Sequence, residues 1–261
     1  MQPVLLLPGG FALSTYLAAI STGLALATFV VHREARRAGL PVRAVFDVAL
    51  VLIPAAALFG RLFGALSEPA AWRADPWGML LYGGGFTFYG SFLGASACLL
   101  LVAWLRGLDP LRVMDVLAPG MPFGVAFGRL GCLGAGCCHG RPADWPFGAP
   151  VPWAVRYLNP GTVPEPMLVV PLHPTPLYDS LGGLGLFLLL TRLSARRPPP
   201  GAVFAALLVG YAAMRSTTEL FRGDLVRGFV LDGWLSTAQA TSIPVALAGL
   251  ALWWHVHRTE A

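Results

Sequence analysis

The 261 residues are 56% hydrophobic and only 12% charged, with a mean hydropathy of +0.66. Soluble domains carry about 25% charged residues, so a soluble globular fold is excluded and an integral membrane protein is expected. The net charge of +5 comes entirely from arginines, most of which flank apolar runs. That placement follows the positive-inside rule and calls for a membrane, not for nucleic acid.

The first predicted span runs from about Phe11 to Val31. No basic segment precedes it and no small-residue cleavage site follows, so an uncleaved anchor is expected. The arginine cluster HREARRAGLPVR after it marks a cytoplasmic loop and puts the N-terminus outside. A second span covers about Ala44 to Leu66 and a third about Tyr82 to Leu105. The fourth, about Leu111 to Leu133, contains Pro119, Gly120, Pro122 and Gly124 and is expected to kink or break.

Residues 134–174 are rich in proline and tryptophan, too polar to span and too apolar to float free. An arm on the outer surface is expected there. Spans five to seven cover about Thr175 to Leu193, Ala202 to Thr218 and Thr237 to Val256. The fold expected is therefore an all-α integral membrane protein, one polytopic domain of about seven transmembrane helices, N-out and C-in. Each span is near the ~20 residues a bilayer needs.

Arginines inside spans are costly and so point to function. Arg61 and Arg129 stand about seventeen residues above the inner ends of their spans, roughly 26 Å at the helical rise. Arg215 stands roughly 21 Å up the sixth span. Tyr16, Tyr89, His173 and Tyr178 fall in the same outer leaflet. Guanidinium binds phosphate bidentately and stays charged when partly desolvated, so a phospholipid headgroup is the expected ligand of Arg61, Arg129, Arg215 and the nearby Arg222. Snorkelling or structural ion pairing is the alternative for each arginine alone. Asp47 and Asp115, near inner ends, read as structural.

Cys132, Cys137, Cys138 and His139 form C-x4-C-C-H, which could hold a metal, close a disulfide or simply pack. The spacing matches no standard zinc motif, and no cofactor is required by the rest of the chain. Cys98 reads as core.

The blocks YGGGFTFYGSFLG, APGMPFGVAFGRLGCLGAGCCHGR, HPTPLYD, GYAAMRSTTELFRGD and AQATSIP, in that order, resemble the prolipoprotein diacylglyceryl transferase family. The resemblance implies transfer of a diacylglyceryl group from phosphatidylglycerol to the lipobox cysteine of a prolipoprotein signal peptide. The reaction would release glycerol phosphate, at the periplasmic face of a bacterial inner membrane. It makes Arg129 the essential arginine of the GR signature and Arg222 the arginine after the sixth span. Tyr16 and Gly140 match a tyrosine and a glycine of the family, Tyr89 a position that can be histidine, and His173 and Tyr178 the HPxxLYE block. Arg129, Arg222, Tyr89 and His173 are the expected catalytic set; Arg61, Arg215, Tyr16 and Gly140 join Arg129 and Arg222 around the headgroup. Where the family signature reads GRxGNFxNxE, this chain has Cys132, Ala135 and Cys137 in place of its two asparagines and its glutamate. A second reading follows: a scaffold reused for thiol, metal or lipid binding without transfer.

Overall fold

A computed structural model of the chain describes residues 4–6, 12–66, 69–81, 88–144, 148–158, 163–223, 229–230 and 234–258. Two compact units emerge, one made of Met1–Val31 with Ala118–Ala261 and the other of His32–Leu117. Helices dominate both. They are α1 (Thr15–Arg37), α2 (Val42–Leu66), the short α3 (Pro69–Ala74) and α4 (Pro76–Leu81), α5 (Phe88–Leu105), α6 (Pro110–Leu117), α7 (Gly120–Ala135), α8 (Thr175–Ala195), α9 (Ala202–Glu219) and α10 (Thr237–Arg258).

Among the described residues, three helical stretches are long and apolar enough to cross a membrane: Thr15–Arg37, Val42–Leu66 and Pro110–Ala135. Their apolar side chains point outward as well as inward, with Phe29, Leu50 and Ile53 largely exposed. Such surface would drive aggregation in water and suits contact with lipid. The fourth predicted span is indeed broken. Pro119 lacks an N–H for the helical ladder and stands at the N-cap of α7, so α6 ends two residues earlier. The predicted start of the third span at Tyr82 lies outside the described residues.

In the second unit α2 and α5 pack antiparallel. Gly90 and Gly94 of α5 abut Phe59 and Phe63 of α2, while Arg106 at the far end of that pair reaches Asp47 at 2.7 Å. Asp47 is structural, as expected. Arg61 and the start of α5, where Tyr89 lies, therefore share one end of this unit.

The first unit stacks α1 (to Val31), α7, α8, α9 and α10 in alternating directions. Val31 of α1 meets Gly120 at the start of α7, and Thr15 meets Gly134 at its end. Gly183 of α8 sits against the Pro122 carbonyl of α7, Gly210 of α9 against Leu186 of α8, and Gly249 of α10 against Leu208 and Val209 of α9. Ala118, Leu186, Leu190, Val203 and Leu207 form the apolar core between them. Alternation brings the start of α1, the end of α7, the start of α8, the end of α9 and the start of α10 to one end of the bundle.

Between α7 and α8 the described residues carry no helix beyond the 3-10 turn Glu165–Met167. Two short strands, Val155–Arg156 and Pro171–Leu172, pair antiparallel. Tyr157, Val163 and Leu172 bury themselves beside them as a small separate core.

Candidate active site

The polar residues of the first unit gather at the bundle end just defined. Arg129 stands two turns before the end of α7, and Asp179 stands in the first turns of α8. Antiparallel packing brings them together, Nε to Oδ2 at 3.2 Å, with Arg129 at 22% exposure and Asp179 at 2%. Thr218 of α9 donates its hydroxyl to the other oxygen, Oδ1, at 2.6 Å. One turn away Arg215 pairs with Glu219 at 2.6 Å, both nearly buried. Arg215 thus spends its charge on its own helix.

Guanidinium carries five donors in a planar fork. Contact through Nε therefore leaves Arg129 the capacity to grip a phosphate.

Beyond α9 the chain turns back and is stitched to the signature segment. Gly140 and Arg222 form an antiparallel bridge. The Gly140 N–H donates to the His173 carbonyl (3.0 Å), Arg141 N–H to the Phe221 carbonyl (2.9 Å) and His173 N–H to the Arg141 carbonyl (3.1 Å). Gly140 is glycine for a steric reason: a Cβ there would press on the His173 carbonyl and lie 2.8 Å from that of Phe221. Three chain segments meet at that point, and Arg222 is held in it at 7% exposure.

His173 is almost fully buried. Its Nδ1 lies 2.9 Å from the Tyr178 hydroxyl, which also accepts from the Trp153 indole at 2.8 Å. These three side chains rim a groove of about 660 Å³ between α8 and α9, lined further down by Gly182, Gly210 and Met214. Tyr16 opens α1 against Gly131 of α7. His139 turns its Nδ1 to the Gly140 carbonyl at 3.0 Å.

The thiols form the last part of the site. The Sγ atoms of Cys132, Cys137 and Cys138 all lie within 4.8 Å of one another, and His139 is not part of that group. All four cysteines, Cys98 included, are free thiols, so the disulfide alternative is not formed. Cys138 is held down to about 5, chiefly by the hydrogen bond from the Cys132 thiol, helped by the charges of Arg129 and Arg222 against its burial. Burial pushes the Cys137 thiol up, with the neighbouring Cys138 adding to it. One thiolate among three thiols is what mutual repulsion allows. Tyr157, whose buried hydroxyl has no hydrogen-bond partner among the described residues, is likewise pushed up to about 12 by burial and then by the cysteines.

Of the expected site residues, Arg129, Arg222, His173, Tyr16, Gly140 and Arg215 thus occupy one end of the first unit. Arg61 and Tyr89 belong to the second unit, and the side chain of Tyr89 lies outside the described residues. Asp179, Glu219, Thr218 and Tyr157 were missed. A carboxylate placed one turn into an apolar span, as in HPTPLYD, was the available signal for Asp179.

Fold and site together define a helical membrane protein whose ionic and thiol groups are concentrated at one end of an apolar bundle. Comparison makes the class particular: the profile of prolipoprotein diacylglyceryl transferase matches residues 3–255, and the chain belongs to that family. Relatives named phosphatidylglycerol–prolipoprotein diacylglyceryl transferase include those of Methylibium petroleiphilum and Clostridium tetani. The first is 36% identical over 250 residues, covering 92% of this chain and 88% of the relative. The second is 29% identical, covering 96% of each. A third, from Nitrosomonas europaea, is 36% identical over 78% of this chain and 70% of its own.

Proposed function

We propose that the protein transfers the diacylglyceryl group of phosphatidylglycerol to the lipobox cysteine of a prolipoprotein, as the names of its relatives suggest. What carries this reading is the meeting of Arg129, Arg222 and His173 at one end of an apolar bundle. The thiolate attacks the glycerol carbon that bears the phosphate ester. A C–S bond forms, the C–O bond breaks, and glycerol phosphate leaves with the electron pair. Arg129 and Arg222 hold the phosphate and stabilise the charge that develops on it, an electrostatic role of the kind that dominates many enzymes. His173, positioned by Tyr178, lines the groove that takes an acyl chain of the donor. Arg61 and Tyr89 belong to the other unit, and the roles expected of them, headgroup binding for Arg61 and catalysis for Tyr89, stay part of this proposal.

Orientation follows from the same unit. Its far end bears exposed Arg192, Arg196, Arg197 and Arg258, which the positive-inside rule assigns to the cytoplasm. The proposal therefore takes seven spans, N-out and C-in, with the site at the periplasmic face of a bacterial inner membrane and residues 134–174 as an arm above it.

The test is complementation of a strain depleted of its own transferase, scored by conversion of a prolipoprotein. Rescue by the native chain and by Arg196→Gln, lost with Arg129→Ala, is the expected result. The second reading is a scaffold that uses the converging thiols without transfer activity. Failure of the well-expressed native chain to convert any prolipoprotein would overturn the transferase reading and leave this one.

A further inference from the structure

Three sulfurs within 4.8 Å of one another are an unusual feature of this site. Cys132 lies in the last turn of α7, and Gly136 closes that helix in the left-handed conformation. The turn carries Cys137 back until its thiol lies 3.6 Å from the Cys132 carbonyl. Cys138 is itself left-handed, at φ 57°, a conformation that side chains with a Cβ avoid. It is held there by the Thr175 hydroxyl, which donates to its carbonyl at 2.7 Å. Backbone strain kept in place by surrounding contacts is a mark of functional geometry.

We propose that Cys132, Cys137 and Cys138 are a three-thiolate site for one thiophilic d10 cation of the zinc class, with a fourth position left for the thiol of the substrate peptide. Zinc–thiolate bonds of about 2.3 Å place sulfurs about 3.8 Å apart in a tetrahedron. The three thiols therefore need to close by no more than roughly 1 Å at the widest pair. Packing explains one or two cysteines and a disulfide explains two. A metal uses all three. Three thiolates on a divalent cation leave one net negative charge, and Arg129 and Arg222, whose charges already act on Cys138, balance it. His139 is excluded from the ligand set, since only the thiols converge.

Three protein ligands and one open position are the pattern of catalytic zinc, whereas structural sites are closed by four. A thiol entering the fourth position loses its proton outright: the S–H bond breaks, a metal–sulfur bond forms, and the proton passes to water. This deepens the transferase reading and rests on it for the identity of the fourth ligand. It also supplies the thiolate in a chain that has cysteines where its family places asparagine and glutamate.

Full-length protein in detergent micelles, stripped with chelator and reloaded with zinc, should retain about one equivalent per chain. The C132S/C137S/C138S variant should fall to less than about a tenth of that, while Cys98→Ser stays unchanged. In the unaltered chain, zinc should slow maleimide labelling of the three thiols by about tenfold or more, a readout that does not depend on a variant folding. With cobalt(II) in place of zinc, a lipobox peptide containing cysteine should raise the thiolate charge-transfer band by roughly a third, as three sulfur ligands become four, and its serine counterpart should not. Less than about 0.1 equivalent of zinc in the unaltered chain, labelling indifferent to zinc, or isolation with two of the thiols oxidised to a disulfide would overturn the site. So would full transfer by chelator-stripped protein. None of the metal readouts needs turnover, so an inert protein with a full metal site would defeat the transferase reading alone.

Discussion

Arg215 and Arg192 sit at opposite ends of the antiparallel pair α8 and α9 and meet opposite fates. Arg215 is 14% exposed and locked to a buried carboxylate, as Arg129 is to Asp179. Arg192 and its neighbours Arg196 and Arg197 are exposed. At the far end of α10, Arg258 lies over the Trp254 ring at 3.6 Å. The same cation therefore serves two purposes. At one end it is buried with partners, where removing either partner strands a charge. At the other it is exposed, at the end that the proposed topology assigns to the cytoplasm. Position in the span does not distinguish these cases; the carboxylate opposite does.

The comparison breaks most sharply at Arg129. Arg129→Ala removes the phosphate ligand proposed above and should lower transfer by about a thousandfold, the scale of losing a preorganised stabiliser of developing charge. The measurement is the mass shift of a prolipoprotein in vesicles containing phosphatidylglycerol. Pairing it with Asp179→Asn removes the stranded carboxylate, so stability should return and activity should not. Recovery of both would make Arg129 merely structural.

That ion pair also shows what the sequence could and could not disclose. Helix limits at Pro110, Pro119 and Gly201 were readable because proline and glycine break helices by local chemistry, whereas α1 runs from Thr15 to Arg37, past the limit expected at Val31. Arg129 was conspicuous because charge in a span is expensive. Its partner was not, because which residue faces which depends on the packing of α7 on α8. Thr218 reaches Asp179 across 39 positions of sequence. The convergence of three thiols likewise needed the left-handed turn at Gly136 and Cys138, which C-x4-C-C spacing alone does not specify.

The thiols sharpen the comparison through pH. A thiolate, not a thiol, is alkylated, so in chelator-stripped protein the iodoacetamide rate at Cys138 should rise through a midpoint near 5 and then level off. Cys137, pushed up by burial, should still be accelerating in alkaline solution. At neutral pH Cys138 should be the faster of the two, by less than the thiolate populations alone imply because a low-pKa thiolate is the weaker nucleophile. Peptide mapping after timed quenching reads both. Equal rates would mean that neither the Cys132 hydrogen bond nor the charges of Arg129 and Arg222 hold Cys138 down.

Gly140→Ala tests the stitching of the site. The new methyl group meets two backbone carbonyls, which cannot rotate away as a side chain would. A loss of roughly 2–3 kcal/mol is expected from such overpacking, read as a lower midpoint in thermal unfolding in micelles. A comparable cost follows from Thr218→Val, which keeps the shape and deletes the donor to Asp179 Oδ1. One lost hydrogen bond to a buried carboxylate is about 1.5–3 kcal/mol, and transfer should suffer only as far as Arg129 shifts with its partner.

The smallest effect belongs to the opposite end. Arg192→Gln alters a solvated arginine in the last turn of α8, where a cation's favourable interaction with the helix terminus is only about 0.3–1 kcal/mol. Unfolding midpoint and transfer rate should therefore stay close to those of the native chain. Labelling of an introduced cysteine from either side of the membrane should still report one orientation, because Arg196 and Arg197 remain beside it. If this one exposed arginine mattered as much as Arg129, burial and partnership would not be what separates the two ends.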